Sequence, residues 1–210
     1  MERAFTEKVL SEWHIIDLLP EQQVIRVFEK VRDIRFGSIG SRDPKDVYEQ
    51  NKGTCSGKNF LLRELYKGIG LRTKDMICMQ RWKDLIWFPD DIYGVVDLSD
   101  ELRHRLAQHE VIDFHNYVRI FVNDAWVTVD ATIDLPLTKV GFYTTEQWDG
   151  MSDMPLCFVG SHKVWDCGDR GFEMKAELTE GLPLEIQEAR QQFLVALTVW
   201  IDSLRNRGDI

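Results

Sequence analysis

The chain has no hydrophobic run approaching the roughly 20 apolar residues that a bilayer-spanning helix requires. It also lacks an excess of positive charge: 26 basic against 35 acidic side chains leave a formal net charge of −9. Nucleic-acid binding draws most of its affinity from Lys and Arg on phosphates, so that class is disfavoured. Cysteine is scarce. Cys55, Cys78, Cys157 and Cys167 are scattered with no CxxC pair, which argues against a zinc knuckle and a disulfide framework. Internal repeats and low-complexity tracts are missing too. The first residues, "MERAFTEKVLSEWHII", are charged throughout and carry neither the apolar core nor the cleavage site of a secretory signal. These absences leave a cytoplasmic protein, with no membrane and no nucleic acid among its partners, as the expectation.

What is present has the composition of a globular protein. The 210 residues are 44% hydrophobic and 11% aromatic, with seven Trp, which fits one packed domain over 1–210. N-terminal helices are predicted within 1–36, where Val24, Val27, Phe28 and Val31 recur at helical spacing. A short helix opens at Asp43 or Pro44, and a stronger one begins near Thr54 or Cys55. Phe60, Leu61, Leu62, Leu65 and Ile69 form the buried stripe of that stronger helix. "DMICMQRW" reads as a strand, followed by an irregular stretch around Pro89, Asp90, Asp91 and Gly94. "SDELRHRLAQ" is a short helix capped by Ser99. "HNYVRIFV" and "AWVTVDATI", joined at Asn123-Asp124, form a hairpin, because Asn and Asp tolerate the left-handed backbone of such turns. Residues 136–181 read as loop with one or two unplaced strands, and a helix over about 184–206 closes the chain. The fold class is α+β.

The stretch "NKGTCSGKNFLL", beginning at Asn51, admits two chemistries. A phosphate-binding loop needs G-x-x-x-x-G-K-[ST] after a buried strand, so that backbone amides surround the phosphates. Counted back from Gly57, the first glycine position holds Lys52, and the hydroxyl position after Lys58 holds Asn59. The preceding "DVYEQNK" is no buried strand, so the phosphate reading fails. The other reading is nucleophilic. A cysteine in the first turn of a helix meets unpaired amides and the positive end of the helix dipole, which favour its thiolate. Lys52 and Lys58 are expected to add positive charge nearby. Gly53 is expected to let a substrate carbonyl approach the backbone, where the Cys55 amide can donate to an oxyanion.

Such a nucleophile needs a base, and the base an orienting group. With Asn123-Asp124 as the turn, Val122 faces Ala125 and Tyr117 faces Asp130, so His115 is a diagonal neighbour of Asp130 on one sheet face. An Asp inside a β-branched run is otherwise poorly suited to a strand.

Gly-x-Cys at a helix start, then "LLRELYKGIGLRTKDMI", a strand bearing His115 and then "AWVTVDAT" together resemble the core of the transglutaminase-like superfamily, within the papain-like cysteine enzymes. The likeness runs roughly over 43–134. It implies a nucleophile-bearing helix packed on an antiparallel sheet, with Cys55 as nucleophile, His115 as general base and acid, and Asp130 as orienting carboxylate. The reaction it implies is acyl transfer or amide hydrolysis through a thioester, on a peptide, protein or small-molecule amide or acyl substrate. Neither cofactor nor metal is implied. There are departures: Asn116-Tyr117 follows His115 where many members have Ala-Trp, and Ala131-Thr132 follows Asp130 where Pro-Thr is common. The fifteen-residue step from His115 to Asp130, with Asn59 four after Cys55, is similar to arylamine N-acetyltransferases of the same superfamily, which are acyl-CoA-dependent. Gly57 stands where their motif has Glu. A catalytically inactive module of this fold that binds a peptide or protein partner is the alternative of a different class.

Other residues carry weaker signals. Gln50 is a candidate side-chain oxyanion donor, weighed against an ordinary helix-end residue. His104, His109 and Asp113 are expected on solvated surface, since a step of five does not put two histidines on one helix face. Cys157, His162 and Cys167 are spaced too widely for a zinc motif and are expected in loops, while Cys78 belongs to the core. Trp82, Trp87, Trp126, Trp148 and Trp165 are expected mostly in the core, with one or two lining the cleft around Cys55.

Overall fold

A computed structural model describes residues 3–84, 95–158 and 163–210. Trp87, His162 and the stretch around Pro89–Gly94 lie outside the described residues. The first third is helical, as its periodicity predicts. Helices α1 (Arg3–Glu12) and α2 (Pro20–Arg32) bury Val9 and Leu10, and Val24, Val27, Phe28 and Val31, respectively. Helix α3 (Pro44–Gln50) starts with Pro44, and Asp43 caps it by accepting from the Lys45 amide at 2.7 Å. Helix α4 (Cys55–Gly68) begins four residues after the left-handed Asn51 that ends α3. Its buried Phe60, Leu61, Leu62 and Leu65 form the predicted stripe, and it packs against α1, α2, β3 and β4.

The sheet is antiparallel and four-stranded, in the order β5-β4-β3-β6. Strand β3 (Arg72–Arg81) runs beyond the predicted stretch, β4 spans Ile112–Val122, and β5 spans Ala125–Val129. The hairpin register is the expected one: Val122 pairs with Ala125 and Val118 with Val129. Asn123 and Asp124 both adopt positive φ, at 48° and 61°, which gives the turn the twist its strands require. The outer strand β6 (Val164–Gly168) pairs with β3.

Three features depart from the sequence reading. A two-residue parallel clasp joins β1 (Arg35–Phe36) to β2 (Lys52–Gly53), just ahead of Cys55. Cys167 lies in β6, not in a loop. The stretch expected to be loop holds a 3₁₀ turn (Leu135–Val140) and a ten-residue helix, here α6 (Gly171–Glu180). Helix α6 lacks a clean apolar stripe because two of its positions, Gly171 and Lys175, are buried without being hydrophobic. The helix capped by Ser99 is α5 (Asp100–Gln108), and the closing helix is α7 (Leu184–Arg207).

Of the four apolar clusters among the described residues, two are large. One joins α1, α2 and α4 to Val118, Ile120, Val127 and Val129 of the hairpin. The other joins Trp82, α5 and α7 through Phe193, Leu197 and Ile201. Trp82 and Trp148 are buried as expected, but Trp126 and Trp165 are only half-buried. Trp126 instead receives Arg72 and Lys74 on its ring. Among the described residues no helix is long and apolar enough to cross a membrane.

Candidate active site

Cys55 is the first residue of α4, with Thr54 in extended conformation before it. The clasp between β1 and β2 fixes this entry: the Gly37 amide donates to Gly53 O at 3.1 Å, and the Arg35 amide to Asn51 O at 3.3 Å. The glycines around Cys55 serve packing. A Cβ on Gly53 would come 2.9 Å from Val47 Cγ1, and one on Gly57 would come 2.7 Å from Val47 Cγ2. They let α3 lie against the start of α4, a packing reason for small residues here.

The expected histidine and carboxylate meet. His115 Nε2 lies 2.7 Å from Asp130 Oδ2, both side chains fully enclosed. Asp130 also accepts from the Cys157 amide at 2.8 Å, the Thr132 hydroxyl at 2.6 Å and the Thr132 amide at 3.1 Å. Burial opposes its ionisation, but His115 and these donors outweigh it and hold its pKa down at about 2. Burial likewise opposes the imidazolium, yet Asp130 and the neighbouring Cys55 raise His115 well above its ordinary value. The other ring nitrogen, Nδ1, is buried with no hydrogen-bond partner among the described residues.

Asn59 welds the nucleophile helix to the hairpin. Its Nδ2 lies within hydrogen-bond distance of Cys55 O (3.0 Å), Asn116 O (2.9 Å) and Thr132 Oγ1 (2.9 Å). Ser56 adds a hydrogen bond to Asn116 Oδ1 at 2.7 Å. These contacts cross from α4 to Asn116, next to His115 in β4, and to Thr132, two residues after Asp130, and so fix Cys55 relative to the imidazole.

The charge acting on the thiol is not the one expected. Lys52 pairs with Asp202 at 2.7 Å. Lys58 is completely buried, and its ammonium donates to Arg32 O, Ile34 O and Thr132 O at 2.9, 2.6 and 2.8 Å. Burial lowers the Lys58 pKa to about 8, against nearby carboxylates that raise it. Lys58 therefore ties the end of α2 to the segment after β5. The cation beside the thiol is Lys175 of α6, whose Nζ donates to Cys55 Sγ at 3.5 Å. Burial disfavours the thiolate, but Lys175 and His115 together overcome it and bring the thiol to about 6, against an opposing push from Asp113.

Asp113 is not on the solvated surface either. It is buried, with Arg190 Nη2 2.7 Å and Lys175 Nζ 4.0 Å from its Oδ1. Burial opposes its charge, but Arg190, Lys175 and the Phe114 amide depress it to about 2. His104 and His109 are exposed, as expected. Cys55, Asp113, Lys175 and Arg190 line one cavity of about 260 Å³, with Trp82, Phe158 and Arg42 among its walls. Trp82 thus fulfils the expectation of a tryptophan at the cleft. Gln50 is exposed at the end of α3 and does not line this cavity, so the structure lends it no oxyanion role. His115 does not line the cavity either, lying behind it at 1% exposure with the Phe158 ring 4.9 Å away.

Sequence reasoning missed Lys175 and Arg190. Arg190 had a readable signal: it precedes Phe193, Leu197, Ile201 and Leu204 at helical spacing, so it falls in phase with the buried stripe of α7. Lys58 falls in phase with Leu61, Leu62 and Leu65 in the same way. Lys175 had no comparable signal. No family model matches the chain, and no curated protein matches it in sequence.

Proposed function

We propose that this chain is a cysteine-dependent acyltransferase or amide hydrolase of the transglutaminase-like, papain-like type. The observation that carries this reading is the thiol at the first turn of α4, held near pKa 6 beside a His115–Asp130 pair joined at 2.7 Å. In the reaction, the Cys55 thiolate bonds to the acyl carbon of a carboxamide or other acyl donor. The leaving group departs with the electrons of the broken acyl bond and takes a proton from the His115 imidazolium. The first-turn amides of α4, which lack intrahelical partners, face the developing oxyanion. Water or an amine then attacks the thioester, His115 accepts its proton, and the thiolate leaves. Asp130 orients the ring throughout.

One observation favours a second reading, an inactive module that binds a peptide or protein: His115 is closed off from the cavity, and the group donating to the thiol is Lys175. Alkylation and turnover separate the two. The enzyme reading expects iodoacetamide to label Cys55 selectively, at pH 6 about tenfold faster than a small free thiol. It also expects slow turnover of p-nitrophenyl acetate that is lost in Cys55→Ser and His115→Ala. Labelling no faster than a free thiol, unchanged in His115→Ala, would sink the enzyme reading.

A further inference from the structure

The cavity beside Cys55 has a charge balance opposite to that of the whole chain. The protein carries −9 overall. Three cationic side chains line the cavity, Arg42, Lys175 and Arg190, against one carboxylate, Asp113. Lys175 and Arg190 are only 2% and 8% exposed, so solvent screens them weakly. Arg190 commits Nε and Nη2 to Asp113 and leaves Nη1 with no protein hydrogen bond among the described residues. Arg42 has no ion pair among the described residues. Its guanidinium lies 6.0 Å from the ring of Phe172, three residues before Lys175 on α6. The Arg42 Cα would lie 3.6 Å from a Cβ built on Gly57 in the first turn of α4. Arg42 therefore spans the gap between the nucleophile helix and the helix that supplies Lys175.

With Cys55 as thiolate, the cavity holds one cation in surplus over Asp113 and the sulfur. Acylation removes the thiolate charge and, through the proton passed to the leaving group, the imidazolium charge of His115 as well, so the surplus of one persists unless the acyl group brings its own negative charge. The unpaired cation is Arg42, which is half-buried at the cavity wall and so is only partly screened by solvent. We propose that the acyl donor carries a carboxylate, received by Arg42 and the free Nη1 edge of Arg190 while Cys55 attacks its acyl carbon. The bonds that form and break are those of thioester formation described above, and the carboxylate itself does not react. A volume of about 260 Å³ suits a small acyl group with one such anion. This inference rests on the reading of Cys55 as a nucleophile.

Two alkylating agents of nearly equal size test it without a known substrate. Iodoacetate carries a carboxylate and iodoacetamide does not. Rates at Cys55 are followed at pH 7 and low salt, with peptide mass spectrometry to locate the adduct. Relative to the same ratio for 2-mercaptoethanol, the iodoacetate-to-iodoacetamide ratio is expected to be about tenfold higher, and to fall at 0.5 M salt. Arg42→Gln, at a half-exposed position, is expected to lower that ratio at least about threefold. Succinate, but not succinamide, is expected to slow alkylation by iodoacetamide. Rapid labelling by iodoacetamide with a small-thiol ratio overturns the anion preference and leaves the nucleophile standing. Protection by phosphate without protection by succinate overturns the assignment to a carboxylate. Slow labelling by both reagents overturns the cysteine-enzyme reading, and this proposal with it.

Discussion

Cys55 and Cys157 sit at the two ends of the His115–Asp130 pair, both buried, and their thiols are shifted in opposite directions. At the Cys157 end, burial and the Asp130 carboxylate, whose chain carbonyl lies 3.8 Å from the sulfur, push the thiol well above its ordinary value. At the Cys55 end the same burial is overcome by Lys175 and His115, and the thiol falls to about 6. Each end also has a buried lysine. Lys58, toward Thr132, spends its ammonium on three neutral carbonyls, while Lys175 spends its own on a sulfur and a carboxylate. Burial alone therefore makes a cysteine inert and a lysine a tie between chain segments. Reactivity comes from what the enclosed charge faces.

The largest test of this contrast removes the structural lysine. Lys58→Met leaves the carbonyls of Arg32, Ile34 and Thr132 unsatisfied and is expected to cost about 3 kcal/mol in urea unfolding. The pH profile of Cys55 alkylation should keep its inflection near 6. An inflection that moved upward would mean that Lys58, not Lys175, supplies the charge on the thiol.

Lys175→Met is the complementary change. It takes away the cation donating to Cys55 Sγ, so the alkylation inflection is expected to move to higher pH and the rate at pH 6 to drop about tenfold. An unmoved inflection would assign the thiolate to His115 alone and break the parallel between the two lysines.

The smallest effect is on acid stability. Asp113 and Asp130 are both depressed to about 2, below the ordinary carboxylate value near 4. The unfolded chain therefore takes up these protons first. The stability they contribute is complete above pH 4 or so and is lost as pH falls toward 2. Urea midpoints measured from pH 5 to pH 2 should fall, and Asp113→Asn should flatten that slope. An equal slope in the variant would show that Asp113 gains nothing from Arg190.

Much of this was legible locally. The Asn123-Asp124 turn set the hairpin register by chemistry that two residues contain, and the register put His115 one diagonal step from Asp130 on the same face. The start of α4 was readable from Gly53, Thr54 and the apolar spacing of Phe60, Leu61, Leu62 and Leu65. Lys58 departs from its sequence expectation because a charge next to a cysteine in sequence need not lie next to it in space. On a helix, residues three apart lie on one side but point at different neighbours, and Lys58 points at the carbonyls that end α2. Lys175 was out of reach because α6 has no regular apolar stripe, and its one buried lysine resembles any surface lysine until β4 and α4 are in place.

By itself the sequence determined the mixed helical and antiparallel architecture, the hairpin, and the order in which Cys55, His115 and Asp130 occur. Turn chemistry and hydrophobic period act between neighbours in the chain, and so can be read along it. The tertiary structure alone decided which charges face the thiol. Lys175 lies 120 residues from Cys55 along the chain and 3.5 Å from it in space. Electrostatic interaction depends on the second distance and on the exclusion of water, and both exist only after α4, α6 and α7 have closed around one cavity.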